Sequence, residues 1–381
     1  MNVNTTDKTK LEVNWYLTHF SRITIAQLKE VLEEANLEYF LPVAPVVDHR
    51  RKDKNTIVER SSMFNMLFIH AKLNKAANFV YAQPKICFMF NKKKEYVTPL
   101  YRVADTAAIK KKMDMVASDK RESQEDDHFD MLCDESTFKD VVVIPDKQME
   151  MFKKAITYCD TESMPYLRPS EIDFEKGDKV RVIGGQLHGV EGFLESQQGK
   201  DGGHIIVKLC EEYAVRTINV EPEYIQILEF AKTGKHIYKK FDSFMTRGER
   251  CIKNLVENNE QDVKDIEYLL NFVKRFAELH TLTNNMKAKH LMYMFIACAC
   301  LNDVEHRDEY EDKLNQFIPT LTSDIMKSTC LLNLFKCTRK DSYRHQLKSM
   351  IMEWGKLNPD TKGNKKLIEI REDFKEYNMI L

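Results

Sequence analysis

The 381-residue chain is 43% hydrophobic and carries 58 Lys and Arg against 59 Asp and Glu, a formal charge of −1. That length holds two or three domains with cores of their own, and the balanced charge excludes a protein that coats nucleic acid non-specifically, because such binding needs a large basic excess to release counterions. The nine cysteines (Cys87, Cys133, Cys159, Cys210, Cys251, Cys298, Cys300, Cys330 and Cys337) are scattered, odd in number and without a CxxC pair, so they read as reduced thiols of a cytoplasmic protein and not as a disulfide framework or a zinc site. No run approaches the ~20 apolar residues of a membrane span, and MNVNTTDKTK lacks the apolar core of a signal peptide.

In chain order, Trp15-Tyr16-Leu17-Thr18-His19 reads as a first strand. Thr24-Ile25-Ala26-Gln27 then opens a helix as a capping box, with Leu28, Val31, Leu32 and Ala35 on one face. Strands follow at Tyr39–Val43, Met63–His70 and Lys85–Phe90, the last running into the basic turn Lys92 to Lys94. Val141 to Ile144 leads into Pro145-Asp146, which suit a helix first turn, and Met149, Phe152 and Ile156 share that helix's apolar face. Strands interleaved with helices in this order predict a compact α/β domain over residues 12–158. Thr157 to Asp173, with Pro165 and Pro169 among polar residues, reads as a linker that leaves the next domain free to reorient.

Residues 174–194, FEKGDKVRVIGGQLHGVEGFL, place glycines between two short alternating apolar runs, and three more β-like runs follow at 204–209, 214–220 and 224–228. Five strands so closely spaced predict a small barrel over 174–229. Gly184, Gly185 and Gly189 are expected to take positive φ in a tight connection that also carries His188. From residue 232 glycine and proline become scarce and apolar residues recur at helical spacing, which predicts six or seven helices in an irregular bundle to residue 381. Val263, Ile266, Leu270, Val273 and Ala277 are read as one buried stripe, widened by Leu269, Phe272 and Phe276. Thr283 caps the next helix, and Pro319 and Asn358-Pro359-Asp360 mark later breaks.

The segment GDKVRVIGGQLHGVEGFL resembles the KOW motif, with Gly189 as the loop glycine. Trp15-Tyr16, Tyr39-Phe40-Leu41-Pro42, Met66-Leu67-Phe68-Ile69 and Ile144-Pro145-Asp146-Lys147-Gln148-Met149 are similar, in order and spacing, to the landmarks of the NusG N-terminal (NGN) domain. Over residues 12 to 229 the chain therefore resembles NusG-type transcription elongation factors, and IPDKQM most resembles the UpxY-type antiterminators of Bacteroidetes. The resemblance implies an NGN α/β sandwich and an SH3-like KOW β-barrel; with the C-terminal all-α bundle, the fold class expected is α+β. It also implies a non-enzymatic role: the NGN domain would bind the clamp helices of RNA polymerase through an apolar surface including Trp15, Tyr16, Phe64 and Met66, and the barrel would recruit Rho, a ribosomal protein or the nascent RNA. Two departures stand out. Met63-Phe64-Asn65-Met66 replaces the family's Phe-Pro-Gly-Tyr turn, and the charged stretch Ser118 to Asp134 is an insertion that reads as a mobile surface loop.

Other candidates for chemistry have plainer readings. His290, Cys298, Cys300 and His306 crowd one region, but positions 298 and 300 point to different faces of a helix, so packing is expected over a metal site. The basic runs His49-Arg50-Arg51-Lys52 and Lys110-Lys111-Lys112 read as solvated faces, and beside a polymerase Arg50, Arg51 and Lys52 are candidate phosphate contacts. Gly184-Gly185 is no phosphate loop, since no Gly-Lys-Ser/Thr follows it on a helix. No catalytic residue, metal or cofactor is expected. Two competing readings are an enzyme whose active site lies in the C-terminal helices and a ribosome-associated KOW protein.

Overall fold

A computed structural model describes residues 12–47, 57–63, 65–89, 141–159, 166–167, 177–196, 203–210, 214–231, 242–281 and 283–380. Phe64, Arg50, Arg51, Lys52, the basic turn at 92–94, Lys110 to Lys112 and the stretch 118–134 lie outside them. The fold is mixed α and β, with several sheets and a helical C-terminal region. It divides into two compact units, Met1–Ile172 with Ile206–Ile218, and Asp173–Ile205 with Asn219–Leu381.

The first unit is built on β1 (Asn14–Phe20), which lies inside an antiparallel sheet between β5 (Met66–Ala71) and β6 (Ile86–Phe88), with β2 (Glu38–Phe40) outside β5 and β7 (Val143–Ile144) also pairing with β1. Alternation along β1 assigns its two faces. Tyr16 and Phe20, with Leu67 and Ile69 of β5, join one core with Leu28 and Leu32 of α1 (Ile25–Glu34) and Ala76, Phe79 and Val80 of α2 (Leu73–Ala82). On the other face Phe68 meets Phe152 of α3 (Asp146–Thr157), ring centroids 5.4 Å apart. The sheet is thus covered by helices on both sides.

Local chemistry sets the ends of these elements. Thr24 closes a reciprocal capping box with Gln27, as its spacing predicts. The strand expected over 39–43 divides at Leu41-Pro42 into β2 and β3 (Val43–Val47), since proline cannot donate to a ladder, and β3 forms a separate hairpin with β4 (Ile57–Ser61). The strand expected from Met63 begins at Met66. The preceding turn is closed by the Met66 N–H donating to the Met63 carbonyl at 2.8 Å and by the Ser61 hydroxyl accepting the Asn65 N–H at 2.9 Å, with Asn65 at φ 55°.

The glycine-punctuated region forms β9 (Lys179–Val182), β10 (Glu191–Ser196), β11 (Gly203–Lys208), β12 (Ala214–Val220) and β13 (Ile225–Glu229). In the second unit β9 pairs with β10 and with β13, and β8 (Tyr166–Leu167) falls in the expected linker. In the first unit β8 pairs with β12, the Ile218 N–H donates to the Tyr158 carbonyl, and the Gln148 amide of α3 donates to the carbonyls of Lys208 and Leu209 at 2.9 and 2.8 Å.

In the second unit seven α helices are described: α4 (Asp242–Val256), α5 (Val263–Phe276), α6 (Asn284–Cys300), α7 (Val304–Phe317), α8 (Asp324–Thr338), α9 (Asp341–Glu353) and α10 (Lys362–Ile380). Thr283 caps α6 as expected, and Pro319 and Asn358-Pro359-Asp360 fall at breaks. Nearly every residue of α6 from Met286 to Cys300 is buried, because α4, α5, α7 and α8 all pack around it. One expectation is corrected. Val263, Ile266 and Leu270 are exposed, at 78%, 36% and 45%, and Ala277 is exposed too, whereas Leu269, Phe272 and Phe276 form the core. The reason is tertiary: α5 turns this second face to α6 and β13, and buries on it Asp265, which Arg250 of α4 holds by two hydrogen bonds.

Candidate functional site

Of the residues expected to meet a partner, Trp15, Tyr16 and Met66 are 3%, 1% and 1% exposed. Their burial corrects the sequence-based assignment: strand alternation places Trp15 and Met66 toward α3 and Tyr16 toward α1 and α2, so all three support the sheet and none offers side-chain surface to a partner. Trp15 stacks on His70 at 4.6 Å and 12°, and the Lys153 ammonium of α3 sits 4.0 Å from the Trp15 ring centre. The His70 Nδ1–H donates to Glu38 at 2.6 Å, while its Nε2 lies 3.2 Å from an Asp146 oxygen outside hydrogen-bonding geometry. Burial raises the Tyr16 phenol above its ordinary pKa, against a smaller opposing effect of the hydrogen bond with Asn14.

The same unit opens a groove of 380 Å³ between α1 and α2, lined by Val31, Ala35, Leu37, Phe79, Ala82 and Gln83, with Glu34 and Lys75 also at its wall. Two small residues, Ala35 and Ala82 at the C-terminal ends of the two helices, line it beside Leu37 and Phe79. The Lys75 ammonium donates to the Asn36 carbonyl at 2.9 Å and ties α2 to the end of α1. The groove lacks the convergent ionisable groups a reaction needs. Sequence reading missed this site because Lys72, the N-cap of α2, makes no side-chain cap hydrogen bond. The signal available was Ala76, Phe79 and Val80 at helical spacing.

The loop between β9 and β10 brings Gly184, Gly185, His188 and Gly189 together. Gly189 has φ +85° and Gly185 φ +67°, as expected. Gly184 is corrected: its φ is not positive, and its need for glycine is spatial, since a Cβ there would overlap the Tyr224 ring. Donation from the Gly189 N–H to the Val182 carbonyl at 2.7 Å, and from the Val182 N–H to the Val190 carbonyl at 2.8 Å, closes the loop and leaves His188 exposed at its tip.

The His and Cys residues near the end of α6 do not converge. Cys298 and Cys300 are buried in α6, His306 is exposed and bonds Asp303 at 2.8 Å, and among the described residues no group of three or more His, Cys, Asp and Glu side chains is placed to hold a metal ion. Burial pushes the Cys298 thiol up to about 12 and raises Cys300 further, so neither supplies a thiolate near neutrality. No helix among the described residues is long and apolar enough to cross a membrane. A scan against protein-family models finds no match to this chain, and a search of curated proteins finds none either.

Proposed function

We propose that the protein is a NusG-type transcription elongation factor acting as an operon-specific antiterminator, with an NGN-like domain that docks on the clamp helices of RNA polymerase and a KOW-like barrel that recruits a second partner. The observation that carries the reading is the Gly189 loop. The hydrogen-bonded connection with Gly189 at φ +85° supports the resemblance to the KOW motif, and it follows in sequence a sheet that has the Trp15-Tyr16 strand inside it and a helix entered through Pro145-Asp146. Asn65 adds support. It has φ 55° where the family's turn carries glycine, and asparagine tolerates that left-handed geometry better than most residues.

Because Trp15, Tyr16 and Met66 are buried, the polymerase contact is assigned to the groove between α1 and α2, where a partner helix lays apolar side chains over Val31, Ala35 and Phe79. The factor acts by population shift: binding the closed clamp more tightly than the open one disfavours pausing without making or breaking a bond. The test is affinity purification of the full chain from its native cell, beside an Ala82→Arg variant. Ala82 is exposed, so an arginine there leaves the core intact and puts an unpaired charge against the docked surface. Capture of the large polymerase subunits by the parent and not by the variant is expected. Ribosomes in place of polymerase would favour the ribosome-associated reading, and equal capture by both proteins would remove the groove assignment.

A further inference from the structure

We propose that the surface formed by α9, the following loop and the first turn of α10 binds the phosphate backbone of duplex DNA. Residues 341–366 hold six Lys and Arg against three Asp and Glu, a local charge of +3 in a chain whose total is −1. Arg344, Lys348, Lys356, Lys362, Lys365 and Lys366 are all exposed. Only two of them are spent on carboxylates: Arg344 on Asp341 at 3.1 Å and Lys366 on Glu369 at 2.8 Å. Lys348, Lys356, Lys362 and Lys365 have no acidic partner among the described residues.

The fold ties together the elements that carry these charges. Both α9 and α10 pack on α8. The loop between them is tied to α10 by the Asn364 amide donating to the Asn358 carbonyl at 2.8 Å and by Arg371 donating to the Gly355 carbonyl at 3.0 Å. Lys362, Lys365 and Lys366 lie within the first turns of α10, which has no acidic residue in its first turn, so the positive helix end adds to their field instead of being offset by it.

The composition of the surface selects the partner. An acidic protein would seat an apolar contact as well as charge, and here Met352 is the large apolar side chain left exposed. Single strands are held by stacking on open aromatic rings, yet Trp354 is half-buried and faces the Arg371 guanidinium at 6.0 Å. Lysines act as point charges that need no fixed geometry, which suits a regular phosphate backbone. A near-neutral protein therefore carries one local site instead of coating nucleic acid. The inference stands independently of the polymerase docking proposed above.

The test is fluorescence anisotropy of the full chain with a labelled 20-base-pair duplex of arbitrary sequence, titrated at several salt concentrations. Neutralising five phosphates predicts a loss of affinity of roughly 500-fold between 50 and 200 mM salt. A variant with Lys348, Lys356, Lys362, Lys365 and Lys366 all changed to Gln is expected to flatten the log–log salt slope by about 4.5. A control with Lys253→Gln and Lys264→Gln, exposed positions elsewhere in the helical region, should keep the parent slope. Circular dichroism of each variant separates lost binding from lost folding, and should the five-fold variant misfold, Lys362→Gln with Lys365→Gln tests the same slope at a change of about 2. Absence of parent binding at 50 mM salt, an unchanged slope in the folded variants, tighter binding of a single strand of equal length, or binding of poly-glutamate in place of DNA would each overturn the proposal.

Discussion

The Nε2–H of His290 in α6 donates to the carbonyl of Phe276, the last residue of α5, across 2.8 Å. A helix leaves its final carbonyls without intrahelical partners, and this one accepts from the Leu279 N–H at 3.2 Å and from the His290 side chain, which is only 6% exposed. Burial depresses the His290 pKa from 6.5 to about 4, outweighing the hydrogen bond, which acts to raise it.

That shift sets a pH dependence. Unfolding returns His290 to water, where it binds a proton below pH 6.5, whereas the folded protein resists protonation until about pH 4. The stability contribution is fully present above 6.5 and is lost as pH falls toward 4, reaching about 3 kcal/mol. Chemical denaturation at intervals from pH 7 to 4 should show it, and His290→Gln should remove that component of the slope.

Gly189 and Gly184 should fail in different ways. A Cβ on Gly189 meets nothing within 4 Å, so Gly189→Val is costly only through its φ of +85°, about 1–3 kcal/mol. Gly184→Ala instead collides with the Tyr224 ring, and shrinking that ring with Tyr224→Leu should recover part of the loss. A thermal-melt double-mutant cycle distinguishes the two; recovery of Gly189→Val by the same tyrosine change would contradict the assignment.

Trp15→Ala should destabilise the first unit by about 3–5 kcal/mol, because it empties a site enclosed by His70 and Lys153. Any loss of partner binding in that variant should therefore track loss of folded protein by circular dichroism, in contrast to Ala82→Arg, which should stay folded.

The two faces of α5 give a further comparison. Leu269→Ala should cost about 2–5 kcal/mol, while Val263→Lys and Leu270→Lys, on the exposed side, should each change stability by no more than about 0.5 kcal/mol. Urea unfolding midpoints decide it.

Severing the chain at residue 231 should weaken both pieces. In the second unit β9, β13 and Phe230 are joined to the end of α5 and the residues after it by the His280 N–H donating to the Leu228 carbonyl at 2.7 Å, by the Phe230–Phe276 ring contact at 6.1 Å and by the Arg181–Glu278 ion pair. A fragment of residues 232–381 is expected to melt below the corresponding transition of the intact chain. An unchanged melting temperature would show that the helices need none of these contacts.

Much of this was legible in the sequence wherever neighbouring residues decide the structure. Thr24 and Gln27 specify their own capping box, Thr283 caps its helix, and Gly189 marks a positive φ, because each acts within a few residues of backbone. Tertiary structure alone decided which of two apolar stripes on α5 is buried, since Val263 and Leu269 are equally apolar and only the positions of α6 and β13 distinguish them. It likewise decided that Trp15 is core and that Ala35 and Ala82, far apart in sequence, border one groove. Periodicity records that a face is apolar; what covers that face depends on chain segments dozens of residues away, whose approach no local pattern encodes.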